Sequence, residues 1–383
     1  MRSRRTWIAA AITAALVTAY VATEDYIDGA AFVIQAAGMQ GFARTAAEWT
    51  AQDVSEEPVR VPWRGGELAG RWYRPAGSSD RPVLLVPGVH AAGIDEPRLV
   101  GFARDLASMG HPVLTAELPD LARYSITTRS TDMIEDAAAW LAQQRDLVTD
   151  GRIGMMGISF AGGLSVVAAG RASVRDRIAF VMSFGGHGDL PRTLRYLCTG
   201  LQPDGTTRPP HDYGVAIILL GAADRVVPAP QVEPLRSAIR AFLEASHVDM
   251  VDKAQGQLAF ARARDAANEL DEPARTLMTY VNDRNVAKLG PLLLPHVSAL
   301  GGDAPLSPSR AEPPGAAVYL LHGADDNVIP AAESVLLARE LRARDVRVHQ
   351  LATPLITHAE VDRSAAIAAT WQLVKFWGDL LDE

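Results

Sequence analysis

The chain has 383 residues, 48% of them hydrophobic and 21% charged, an ordinary globular balance that excludes a disordered chain. Against 45 Asp and Glu there are 37 Lys and Arg, a net charge of −8 with no basic run to offset it, which argues against a nucleic-acid partner. Cysteine occurs once, as Cys198, so neither a disulfide framework nor a cysteine-based zinc site is available.

Arg2, Arg4 and Arg5 precede an uncharged apolar run over 7–22, and the first acidic residue is Glu24. A basic segment followed by an apolar one is the pattern of an export signal or a signal anchor. As helix the run would measure about 24 Å, slightly short of a ~30 Å hydrocarbon core. Small residues suited to cleavage fall inside the run. An uncleaved membrane anchor over 1–24 is therefore expected, with its basic end cytoplasmic and the rest extracytoplasmic. Secretion after cleavage, or a buried helix of a cytoplasmic protein, are the alternatives. A second apolar stretch over 30–43 either lies on the bilayer or packs on the domain, and polar residues over 51–58 read as a linker, so 25–57 is expected to be a helical segment and linker.

β-like runs follow at 59–63, 68–73 and 82–87. Helix and strand patterns then alternate: helix 98–109, strand 111–118, helix 132–145, strand 152–157, helix 162–170 and strand 178–184. Such alternation predicts crossover units and a parallel sheet buried on both faces. The run Val83, Leu84, Leu85, Val86 has no polar alternation, as a doubly covered strand requires. Between 191 and 314 the pattern is helical, with Val232, Leu235, Ile239 and Phe242 at spacings of three and four and a second stripe at Leu277, Tyr280 and Val281. Strand 316–322, helix 331–344, strand 346–351 and helix 365–381 complete the chain. The expected organisation is an α/β core over 58–190 and 315–383 carrying a helical insertion over 191–314.

Strand 152–157 runs into Gly157-Ile158-Ser159-Phe160-Ala161-Gly162-Gly163, which opens an apolar helix. A serine on so tight a strand-to-helix turn is pushed out of the sheet, and only small residues fit two positions either side, hence Gly157 and Ala161. The helix N-terminus behind it presents unpaired N–H groups to a developing oxyanion. A serine hydroxyl needs a histidine to take its proton, and the histidine needs a carboxylate to fix its tautomer. Gly323-Ala324-Asp325-Asp326-Asn327-Val328-Ile329-Pro330 follows one late strand and places carboxylates on its loop, while 353–358, ending in His358, follows the next. Both emerge at carboxyl ends of strands, on the same sheet edge as Ser159.

The order Ser159, Asp326, His358 resembles the α/β-hydrolase superfamily, in particular its serine-dependent esterase, dienelactone-hydrolase-like and prolyl-oligopeptidase-like branches. The resemblance covers roughly 58–190 and 315–383. It implies a mostly parallel eight-stranded sheet with helices on both faces and a helical cap before the last two strands. It also assigns Asp326 as the acid by the G-x-x-D-x-x-x-P spacing and His358 as the base. The loop after the third strand, 86–93, matches the family's oxyanion loop, implying the Val89 and Phe160 N–H groups as donors. The nucleophile is Ser rather than the Cys of true dienelactone hydrolases, and Ala161 stands where glycine is commonest.

Rivals remain for these roles. Asp325 adjoins Asp326. Asp224 lies in 221–229, which repeats six of the nine residues of 323–331 and follows an apolar run, 215–220, with strand character. Asp189 follows strand 178–184. His90, in the oxyanion loop, either touches substrate or satisfies loop carbonyls; His187 and His322 suit turn ordering and packing, and His247 reads as a surface or packing residue. No metal, nucleotide or dinucleotide motif appears, and no cofactor is expected. The expected activity is a serine hydrolase cleaving a small neutral or lipophilic ester. Acyl transfer by the same triad and a catalytically inactive membrane-tethered binding module are the alternatives.

Overall fold

The structure, a computed structural model, describes residues 29–30, 32, 51–77, 79–356 and 363–383. The expected anchor over 1–24 and His358 lie outside these residues. Eight strands form one sheet: β1 (Val54–Trp63), β2 (Gly66–Pro75), β3 (Val83–Val86), β4 (Val113–Ala116), β5 (Ile153–Ile158), β6 (Ile178–Phe184), β7 (Ala317–Gly323) and β8 (Val348–Thr353). Their order is β1-β2-β4-β3-β5-β6-β7-β8. β1 and β2 form an antiparallel hairpin, β2 is antiparallel to β4, and every other pairing is parallel.

Alternation of side chains across each strand sends neighbours to opposite faces. Leu84, Met155, Val181 and Val318 meet helices α2 (Thr128–Leu141) and α3 (Phe160–Ala169) on one face. Leu85, Met156, Met182 and Tyr319 meet α1 (Pro97–Ser108) on the other, together with the last helix, Arg363–Leu381. All four residues of β3 are buried, which explains why its sequence carries no polar alternation. Phe32 also packs on this second face, its ring 4.4 Å from that of Trp377, so the start of the 30–43 stretch sits on the domain.

Between β6 and β7 the chain forms α4 (Leu190–Thr199), α5 (Tyr213–Val226), α6 (Ala229–Val251), α7 (Lys253–Asn268), α8 (Ala274–Asn282) and α9 (Val286–Leu293). Leu235, Ile239 and Phe242 on α6, and Leu277 and Val281 on α8, are buried as their spacing predicts. After β7 come α10 (Ala332–Arg342), β8 and α11 (Arg363–Leu381). No described helix is long and apolar enough to cross a membrane.

Three sequence expectations are corrected. β1 starts at Val54, inside the expected linker, and pairs residue by residue with β2 from Val54–Pro75 to Trp63–Gly66. Its polar residues Ser55, Glu56 and Glu57 are exposed, which an edge strand tolerates because its ladder is backbone-made. The run 215–220 is the middle of α5 rather than a strand; Val215, Ala216, Ile218, Leu219 and Leu220 are all buried, and a short apolar run has no periodicity to separate the two states. Helix α2 starts at Thr128 and stops at Leu141, four residues before each end predicted from its pattern.

Candidate active site

At the carboxyl end of β5 the chain turns directly into α3. Ser159 occupies that turn with φ 55° and ψ −133°, a positive-φ conformation that costs a non-glycine residue about 1–3 kcal/mol. The turn is held by Ser159 N–H donating to Phe184 O at 2.7 Å and Gly162 N–H donating to Ser159 O at 2.8 Å. The side chain makes no capping bond to the helix, leaving the hydroxyl for other work. Small neighbours are obligatory here. A Cβ on Gly157 would stand 2.4 Å from Ala161 O, and one on Gly162 2.5 Å from Ser183 Oγ.

A serine at positive φ on the strand–helix turn after the fifth strand, in a sheet of this order with only β2 running against the rest, decides the fold. It is the α/β-hydrolase fold. In this fold the turn is the nucleophile elbow. Phe160, as the first residue of α3, has an N–H with no intrahelical acceptor. The loop after β3 closes over the same point: a Cβ on Gly88 would lie 3.4 Å from the Cβ of Ser159, so backbone of this loop adjoins the serine. Val89, the next residue, is partly buried against the core.

Two strands along, β7 ends at Gly323. Asp326 Oδ1 accepts N–H groups of Val328 at 2.8 Å and Ile329 at 3.0 Å, which pins the carboxylate. Its Oδ2 lies 3.5 Å from His322 Nε2, and that nitrogen donates to Ile329 O at 2.7 Å. Asp325 turns the other way and pairs with Arg208 at 2.7 Å, half exposed. Asp224 sits exposed near the end of α5 beside Arg236. Asp189 caps α4 through Arg192 N–H at 2.9 Å and pairs with Arg310 at 2.8 Å, so it is committed to structure. β8 ends at Thr353, whose carbonyl accepts Ala324 N–H at 3.0 Å, so the chain leading to His358 departs beside the Asp326 loop.

His90 Nδ1 accepts Ala92 N–H at 3.2 Å. Its ring stands edge-on to that of His247 on α6, 4.6 Å between centroids, and burial, helped by His247, holds its pKa below the ordinary value. Sequence reasoning missed His247: only its position in space relates it to the loop. Tyr124 packs nearby at φ 59°, its pKa pushed up to about 12 by burial and by Glu244, with Ala91 N–H opposing. His187 is fully buried and bonds Leu306 O at 2.8 Å, a turn-ordering role. Cys198 is buried, which pushes its thiol up to about 12 and keeps it protonated at neutral pH. No metal-binding cluster occurs among the described residues.

No family model and no curated protein sequence matches the chain. Solved structures similar to it include a hyperthermophilic esterase from the archaeon Pyrobaculum calidifontis, 15% identical over 94% of this chain and 93% of that one, with a TM-score of 0.45. An acylaminoacyl peptidase in complex with Z-Gly-Gly-Phe-chloromethyl ketone is 12% identical over 86% of this chain and 41% of that one, at 0.47. Brefeldin A esterase, a bacterial homologue of human hormone-sensitive lipase, is 15% identical over 87% and 79%, at 0.45.

Proposed function

We propose that this chain is a serine hydrolase that cleaves a neutral or lipophilic carboxylic ester through an acyl-enzyme. Ser159 Oγ attacks the carbonyl carbon while His358 takes its proton and then delivers it to the leaving alcohol. Asp326 orients the imidazole, and N–H groups of Val89 and Phe160 hold the oxyanion. Water then enters, with His358 as base, and releases the acid. The observation that carries this reading is Ser159 held at φ 55° and ψ −133°, outside the left-handed helical basin, on the turn from β5 into α3 with its hydroxyl unused as a helix cap. His358 follows Thr353 by five residues, an extended reach of up to about 17 Å, against about 14 Å for the three strand spacings from β8 to β5. The helices between β6 and β7 act as a cap whose apolar residues select the acyl chain. An alkyl fluorophosphonate is expected to label Ser159 in the full-length protein, and p-nitrophenyl esters of rising chain length to be hydrolysed with one preferred length. Absence of labelling and of hydrolysis across the series would overturn the reading.

The apolar run over 7–22 serves in the same reading as an uncleaved anchor, with the catalytic domain extracytoplasmic. Gly29 lies against the backbone of α11, where a Cβ would meet Val374 O at 2.3 Å. Six residues, about 20 Å at full extension, therefore separate the run from the domain and would hold it near the bilayer. The protein should stay in the membrane pellet after carbonate washing and be digested by protease added outside. A soluble chain shortened at its N-terminus would contradict the anchor.

A further inference from the structure

We propose that His90 and His247 form a two-imidazole subsite that hydrogen-bonds a neutral polar substituent, a hydroxyl or a ketone carbonyl, on the ester substrate. This rests on the hydrolase reading and names its substrate class. His90 is two residues beyond Gly88, whose backbone adjoins Ser159, so its Cα lies within about 7 Å of that contact. Because His90 Nδ1 accepts the Ala92 N–H, the neutral ring carries its proton on Nε2, a donor on the ring's far side. His247 reaches the same place from α6, edge-on to His90. Its Nδ1 is buried with no hydrogen-bond partner among the described residues. Among the described residues His187 and His322 also bury an unpartnered Nδ1; the one on His247 is set apart by its place against the ring of His90, in the loop that adjoins Ser159. One donor and one unpaired nitrogen, carried by adjoining rings near the Ser159 turn, suit a group that both donates and accepts.

Charge decides against an anionic substituent. Glu244 lies on α6 one turn before His247 and acts electrostatically on both His90 and Tyr124. Glu96 faces His90 from the core and is itself held by Leu99 N–H and Arg98. Arg98 is largely exposed and already paired with Glu96, and the Tyr124 hydroxyl is engaged by Ala91 N–H. Two carboxylates around the rings, with no unpaired cation there among the described residues, repel a carboxylate and admit a neutral hydroxyl.

The test uses matched ester pairs that differ by one hydroxyl, placed in the acyl part (p-nitrophenyl 3-hydroxybutanoate against butanoate) or in the alcohol part. Wild-type protein is expected to favour the hydroxylated member of one pair by about tenfold in kcat/KM. H247F, which keeps a ring against His90 and removes the nitrogens, is expected to bring that ratio to about one, and H247Q to restore part of it. A wild-type ratio near one in both pairs, no turnover of either pair by protein whose Ser159 still labels, or a ratio unchanged in H247F overturns the subsite. Failure of Ser159 to label in the wild type is instead the failure of the hydrolase reading.

Discussion

Replacing Ser159 with alanine is expected to lower kcat for any ester the protein cleaves by roughly 10⁴–10⁶-fold, the scale on which removal of a serine nucleophile acts in enzymes with a histidine base. The substitution is a clean one. Alanine keeps the Cβ that already occupies the elbow at φ 55°, so backbone strain is unchanged, and the deleted hydroxyl makes no capping bond to α3. Thermal unfolding should therefore be nearly unaltered, which separates lost chemistry from lost fold. Both measurements are needed: activity that survives S159A would assign the nucleophile elsewhere. A variant that unfolds early would show that the hydroxyl supports the turn.

The largest stability effect is expected at Glu333. Its side chain is fully buried on α10, and every oxygen is used. Oε1 accepts from Arg192 Nε at 2.6 Å; Oε2 accepts from Arg192 Nη2 at 2.9 Å and from the N–H groups of Gly188 and Asp189 at 3.0 and 3.1 Å. Alanine would leave two buried backbone donors without an acceptor and the part-buried Arg192 guanidinium with only Glu340, 4.0 Å away, at a cost of about 3 kcal/mol. Glutamine keeps one acceptor oxygen and should lose less. Urea unfolding of both variants checks this, and a Glu333→Ala midpoint equal to wild type would mean that water replaces the carboxylate at no cost.

The central sheet was legible because its strands are doubly buried. Val83 to Val86 has no polar residue to blur the reading, and α1 and α2 each carry an apolar face, while α3 is buried along its whole length. The elbow was legible for a steric reason: a Cβ at Gly157, Gly162 or Gly163 would come within 3 Å of Ala161 O, Ser183 Oγ or the His187 ring respectively. Edges were less readable. The first half of β1 is polar because both its faces there meet water, and nothing local marks Ser55 to Glu57 as paired. The run 215–220 left strand open as an alternative because a short apolar run, five of its six residues buried, looks alike as strand or helix. The aspartates at 325 and 326 have the same chemistry in sequence and were separated there only by the spacing of the resemblance; their hydrogen bonds separate them physically, Asp325 turned to Arg208 and Asp326 pinned by Val328 and Ile329. The His90–His247 contact joins positions 157 residues apart through tertiary packing alone, with no local signature at either end.

The helical segment between β6 and β7 is tied to the very loop that carries Asp326. His211 N–H donates to Asn327 O at 2.8 Å, the Tyr196 hydroxyl donates to the same oxygen at 3.3 Å, and Arg208 holds Asp325. Those helices are thus not an interchangeable module. A chimera that transplants 190–310 from another scaffold would strip the neighbouring loop of its outer supports, and would have to import residues facing Asn327 and Asp325 along with the helices.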